Sequence, residues 1–167
     1  KDNNFEYFNY NLNDILNNLE IKFKHLFYHS YTISERLENI VFFCALTNIS
    51  LSNNNMKILD KNINYLLNNL EFNIHGYNNH LFKNFKALYI SGLFLGDSNF
   101  SNLFKKNIFN YFNNFVDPDL LLNEGSSNYI ILFYKWCHDI LFFSKLYSDK
   151  EMCKFIELKI NKMNKYI

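Results

Sequence analysis

The chain has 167 residues, of which 49% are apolar and 20% charged, so it holds enough apolar material for one domain with a buried core and is not a disordered segment. Its formal charge is +1 and its densest basic cluster is only Lys105–Lys106, so the composition does not indicate a nucleic-acid partner. The longest apolar stretch, 130–143, is interrupted by Lys135, His138 and Asp139 and is too short to cross a bilayer.

With a single proline and four glycines, the chain has few of the turn residues that hairpin-rich β folds need, which predicts an all-α fold of helices joined by short turns. We expect one helical domain over residues 1–167. Because the chain opens on Lys1 and not on a methionine, we also expect it to be a piece of a longer protein.

Apolar residues recur at spacings of three and four along most of the chain, the pattern of helices with one buried face. The predicted helices cover about 5–20, 34–46, 56–70, 79–95, 99–115 and 129–147, and a last one begins near Asp149. An asparagine-rich turn is predicted at 52–55, Gly96–Asp97 ends the fourth helix, and Asp117–Pro118 ends the fifth because a residue before proline is pushed out of helical geometry.

Two of these helices differ in their predicted surroundings. Helix 129–147 is apolar on nearly every side, which predicts an inner helix enclosed by protein, whereas helix 99–115 is amphipathic and should be an outer one. Helices of similar length in antiparallel pairs favour a layered curved array or a ring of hairpins. No sequence repeat of fixed period accompanies them.

The three cysteines, Cys44, Cys137 and Cys153, lie far apart without a CxxC spacing. We therefore interpret them as small apolar residues on helix faces. The histidines lack a second ligand at i, i+4 spacing, so no metal site is predicted.

The segment Asn78-Asn79-His80 is the first of three polar clusters, and it lies where a helix is predicted to begin. Helix N-termini present unpaired N–H groups and the positive end of the helix dipole, which favour a carboxylate or another anion. The alternative is a capping asparagine followed by a surface histidine.

The second cluster runs from Glu124 through Ser126 and Ser127 to Tyr129, again a loop that leads into a helix start. A phenol in a first helical turn would project toward the same kind of opening. A serine cap followed by a packed tyrosine is the other interpretation.

The third cluster, residues 28–36, reads YHSYTISER and ends at Arg36, the chain's one arginine beside sixteen lysines. A guanidinium is a planar, permanently charged fork of donors. Arg36 could bind a substrate carboxylate, or it could brace the fold through Glu35 or Glu124.

Taken in order, YHSYTISER, NNHLFKNFKALYISGLFL (78–95) and EGSSNYIILFYKW (124–136) resemble the helical domain of the heparinase II/III-like polysaccharide lyases, over roughly residues 26–143. The resemblance implies an incomplete (α/α) toroid of antiparallel helix hairpins, with a C-terminal β-sandwich domain that these residues do not contain. It implies β-elimination beside a uronic acid, an acidic polysaccharide or oligosaccharide as the partner, and no cofactor. The implied location is periplasmic or secreted in a bacterium, with cytoplasmic as the alternative.

By this resemblance Asn79 and His80 would contact the uronate carboxylate, and Tyr129 would move the protons. Donors are required there, since the C5 hydrogen is too weakly acidic to leave while the neighbouring carboxylate keeps its full charge. Asn78, Arg36 and Glu124 are the expected substrate-binding residues.

Two aromatic residues near the expected cleft, Tyr77 and Trp136, offer faces on which a sugar could stack. For Trp136 we favour a packed position in the core.

The sequence departs from the family where Ile130 follows Tyr129 in place of the usual histidine. That departure keeps open a non-catalytic glycan-binding or surface-polysaccharide assembly module on the same scaffold. A helical protein-interaction domain, with polar clusters that reflect coding bias toward asparagine, is the third possibility. Without a sandwich domain the piece itself is expected to be inactive.

Overall fold

A computed structural model describes residues 6–12, 14–15, 28–72, 78–116 and 127–165. The regular elements in these ranges are α-helices, which confirms the all-α prediction. We name them α1 (Ser30–Thr47), α2 (Asn53–Asn68), α3 (Asn79–Leu95), α4 (Ser98–Phe115), α5 (Ser127–Leu146) and α6 (Lys150–Met163). Residues 6–12 and 14–15 are also helical. None of the helices in the described ranges combines the length and apolarity needed to cross a membrane.

The fold separates into two compact units, Lys1–Glu71 and Phe72–Ile167. In the first unit, α1 and α2 run in opposite directions. Two contacts show this: Ser30 Oγ, at the start of α1, donates to the carbonyl of Asn69, just after the end of α2, and Arg36, further along α1, contacts Asn62, earlier in α2. Asn9, from the helical segment before α1, accepts hydrogen bonds at Oδ1 from the Ser52 backbone at 2.8 Å and from Asn55 Nδ2 at 2.6 Å.

Two predicted starts in the first unit were wrong by a turn. Helix α1 begins at Ser30, and Ser34 lies buried inside it instead of capping it. Helix α2 begins at Asn53, because Ser52 Oγ accepts from the Asn55 backbone N–H at 3.3 Å. The asparagines predicted to form a turn are therefore the first turn of the helix, since a serine cap outweighs their modest helix propensity.

The boundaries predicted in the second unit agree with the structure more closely. Asn78 Oδ1 caps α3 by accepting from the Leu81 N–H at 2.8 Å, and Gly96 ends that helix at φ 70°. Asp97 and Asp149 cap α4 and α6 through backbone N–H groups. These side chains satisfy N–H groups that have no partner within the helix.

The central helix of the second unit is α3, in which every residue from Leu81 to Gly92 is buried. The prediction that 129–147 is the enclosed helix was wrong, because α5 exposes Ile131 to 59% and also exposes Lys135 and His138. Apolar content alone does not indicate which helix is surrounded by other helices. Helix α3 is enclosed although it carries two lysines.

Contacts fix the directions of these helices. Gly92 lies beside Ser101 while Phe82 packs on Phe112, so α3 and α4 run in opposite directions. Helices α5 and α6 do the same, since Lys145 pairs with Glu157 and Tyr134 bonds Asn164.

Between the two hairpins, α3 and α5 run in the same direction. The residue numbers of the contacting pairs increase together in both helices: Phe82 with Phe133, Lys86 with Asp139, and Tyr89 with Ser144. The starts of both helices therefore lie at one end of the second unit.

Candidate active site

The Asn78-Asn79-His80 segment is half-buried at the start of α3. Asn78 has an extended backbone and uses its side-chain oxygen for the cap, so capping falls to Asn78 and not to Asn79. Asn79 and His80 then occupy the first turn, where the helix dipole is positive. The capping alternative thus accounts for one asparagine of the pair.

Tyr129 lies in the first turn of α5, as predicted, since that helix begins at Ser127. Its side chain lies outside the described residues, as do Glu124 and Tyr77. Ile130, which stands where the lyases that the sequence resembles have histidine, is half-buried.

Parallel packing sets the spacing of the two starts. The Lys86–Asp139 contact lies two helical turns after Asn79 and just under three turns after Tyr129. At 1.5 Å of rise per residue, Tyr129 is offset along the axis by about 4–5 Å, and with packed axes about 8–10 Å apart the two backbones are about 10 Å apart. Two positive dipole ends thus lie side by side, which favours an anion between them.

One to two helical turns after the start of α3 lies a buried charged cluster that the sequence interpretation missed. Lys83 and Lys86 are both 0% exposed, and their ammonium groups lie 5.5 and 5.7 Å from the centre of the Trp136 ring. Lys86 Nζ is 2.7 Å from Asp139 Oδ2, whereas Lys135, on the surface, is 3.9 Å from the same oxygen. Lysines three residues apart in an otherwise apolar helix were the available signal.

Trp136 is 1% exposed and its ring packs against Phe82 and Phe133, which confirms its predicted position in the core. Its Nε1 donor has no acceptor among the described residues. A sugar cannot reach this indole in the present arrangement.

A second polar network lies toward the opposite end of α3 and α5. The Tyr89 hydroxyl donates to Asp149 Oδ2 at 3.0 Å and lies 3.0 Å from Ser144 Oγ, and Lys105 pairs with Asp149 at 3.2 Å. Burial raises the pKa of Tyr89 well above its usual value, an effect that the Ser144 hydrogen bond partly opposes. This phenol stays protonated and joins three helices and the turn before α6.

Arg36 lies in the first unit, where its Nη1 donates to Asn62 Oδ1 at 2.6 Å. Asn62 is itself buried, and its Nδ2 donates to the Ile58 carbonyl at 2.7 Å. Arg36 thus braces α1 against α2, and Asn62 is a partner that the sequence did not indicate.

Cys44 and Cys137 are buried and Cys153 is half-buried, which agrees with their interpretation as packed apolar residues. Burial raises the pKa of Cys44 to about 11, so that thiol is not a nucleophile at neutral pH. The described part of the chain contains no group of three or more His, Cys, Asp or Glu placed to hold a metal ion.

No family model matches this chain, and no curated protein or solved structure matches it either.

Proposed function

We propose that the chain is the helical part of a polysaccharide lyase that cleaves uronic-acid-containing glycans by β-elimination. The observation that carries the proposal is the parallel packing of α3 and α5, which supports placing Asn79, His80 and Tyr129 at one end of the second unit. The two side-by-side hairpins are then part of an incomplete (α/α) toroid.

In the proposed reaction, the uronate carboxylate binds at the start of α3. The Asn79 amide and the His80 imidazole donate to it and stabilise the charge that moves onto it as the C5 proton leaves. Asn79 suits this position because a neutral amide binds an anion without supplying a competing acid.

Tyr129 is the proton-transfer residue of the proposal. As phenolate, Tyr129 takes the C5 proton and then, as the phenol so formed, gives it to the departing glycosidic oxygen at C4. Alternatively, its phenol only protonates that oxygen, and a histidine or tyrosine of the expected β-sandwich domain accepts the C5 proton. The C4–O bond breaks as the C4–C5 double bond forms, and the product is an unsaturated uronate. The reaction needs no cofactor.

Around this centre, Asn78 has two roles, since it caps α3 and so holds Asn79 in place while its amide lies beside the carboxylate site. By the family resemblance alone, Glu124 and Arg36 are the remaining proposed substrate-binding residues, and within the first unit the Asn62 contact holds the Arg36 guanidinium. We expect the β-sandwich domain to supply further catalytic groups.

The test uses the full-length protein with several uronate polymers and follows the ultraviolet absorbance of the unsaturated product. Tyr129→Phe and Asn79→Ala should abolish or strongly reduce turnover. Tyr134→Phe is the matched control on the same helix, because its hydroxyl bonds Asn164 at the surface and should be dispensable. No product from any polymer, or full activity of Tyr129→Phe, contradicts the assignment.

The non-catalytic glycan-binding or assembly module remains the second candidate because of Ile130. It predicts glycan binding without bond cleavage and an unchanged affinity for Asn79→Ala, which separates it from the lyase. The third possibility, a protein-interaction domain, predicts neither cleavage nor glycan binding.

A further inference from the structure

The ion pair between Lys86 and Asp139 joins the two helices whose starts form the proposed site. Its atoms are 2.7 Å apart, Lys86 is fully buried and the Asp139 side chain is 16% exposed. A charge-assisted hydrogen bond in such surroundings is short and directional, and removing either partner takes away an opposite charge that offsets the desolvation of the other.

Other contacts along this interface constrain sliding less. Phe82 packs on Phe133 and Trp136 through ring contacts, which lack the fixed donor–acceptor distance of a hydrogen bond. The hydrogen bond between Tyr89 and Ser144 is also directional, but it lies one further turn from the helix starts. Of these two hydrogen-bonded contacts, Lys86–Asp139 is the one nearer to Asn79 and Tyr129.

We propose that Lys86 and Asp139 are positioning residues of the lyase site, which fix the axial register of α3 against α5 and so the spacing between Asn79 and Tyr129. The inference rests on the proposed function for its catalytic consequence, whereas the register itself is independent of it. Displacing a catalytic group by about 1 Å costs up to about 100-fold in rate.

The kinetic test compares Lys86→Met/Asp139→Leu with the wild-type full-length protein. The double change replaces the pair with apolar groups and is expected to preserve folding. We expect kcat to fall about 10- to 100-fold while KM changes by less than about twofold, because substrate groups still bind but are misaligned. The inverted pair, Lys86→Asp/Asp139→Lys, should recover much of kcat.

A matched control comes from the ion pair of Lys145 with Glu157, which is 2.8 Å long but exposed and joins α5 to α6. Lys145→Met/Glu157→Leu should leave kcat within about twofold of wild type, since this pair does not connect the two starts. A wild-type kcat in the folded Lys86/Asp139 double variant, or equal losses in both double variants, overturns the positioning role.

A second measurement is independent of activity. Spin labels at Asn79→Cys and Ile131→Cys, with the native cysteines replaced by alanine, report the spacing of the two starts through dipolar broadening in continuous-wave EPR. The broadening should change in the Lys86/Asp139 double variant and stay constant in the Lys145/Glu157 one. If the wild-type protein cleaves no uronate polymer, the lyase proposal fails, but a register change seen by EPR still supports the inference. Unchanged broadening overturns it.

Discussion

Lys86→Met is expected to destabilise the second unit by about 3 kcal/mol, at the lower end of the range for breaking a buried ion pair. The substitution leaves Asp139 without its buried partner, and Lys135 at 3.9 Å compensates little because its side chain is 67% exposed. The 16% exposure of Asp139 gives that carboxylate some access to water, which limits the cost.

Asp139→Leu should cost more, about 4–5 kcal/mol, because it removes the carboxylate that lies 2.7 Å from an ammonium group that is 0% exposed. The Trp136 ring at 5.7 Å offsets part of that cost through a cation–π contact of about 1–2 kcal/mol. The double variant should lie within about 1 kcal/mol of wild type, since apolar replacement of both partners removes the desolvation cost. The expected coupling energy between Lys86 and Asp139 in a double-mutant cycle is therefore several kcal/mol.

Urea unfolding followed by fluorescence measures these values for the second unit, because Trp136 is the chain's one tryptophan and lies beside the pair. Lys145→Met, at the exposed pair, is the control and should leave the urea midpoint close to that of the wild type. Single variants that each cost under about 1 kcal/mol, or a double variant that costs the sum of both, would refute the reasoning.

Three further outcomes are expected. Gly92→Ala should destabilise the second unit by about 1–3 kcal/mol, because the added Cβ would lie 2.8 Å from the backbone nitrogen of Ser101, whereas Gly96→Ala should cost about 1 kcal/mol through its φ of 70° alone; denaturant unfolding of both checks this. Iodoacetamide should label Cys153 first and Cys44 only after unfolding, as peptide mass spectrometry would show; prompt labelling of the buried thiol would contradict it. Burial raises the folded-state pKa of Tyr89, so the protonated phenol contributes its full stabilisation below the ordinary tyrosine pKa of 10.0, and this contribution declines as the pH rises above that value. Tyr89→Phe should therefore reduce the fall in the free energy of unfolding between about pH 9 and 11. An unchanged slope would contradict this.

The sequence alone determined the helices of the second unit and the residues that end them. Caps and C-caps are local: Asn78, Asp97 and Asp149 each bond an N–H three residues ahead, and Gly96 supplies a left-handed backbone. For the same reason the sequence placed Asn79 and Tyr129 in first helical turns. It failed at α2, where Ser52 also caps locally but the asparagines after it were interpreted as a turn.

Only the tertiary structure decided which helix is enclosed, which helices run parallel, and how buried charges are paired. Lysine is usually a surface residue, and the burial of Lys83 and Lys86 depends on Trp136 and Asp139, some fifty positions away. The Arg36–Asn62 contact likewise joins separate helices. Periodicity reports the faces of one helix, whereas the partner of each face depends on packing between distant segments, and here that packing brings two helix starts to one end of the second unit.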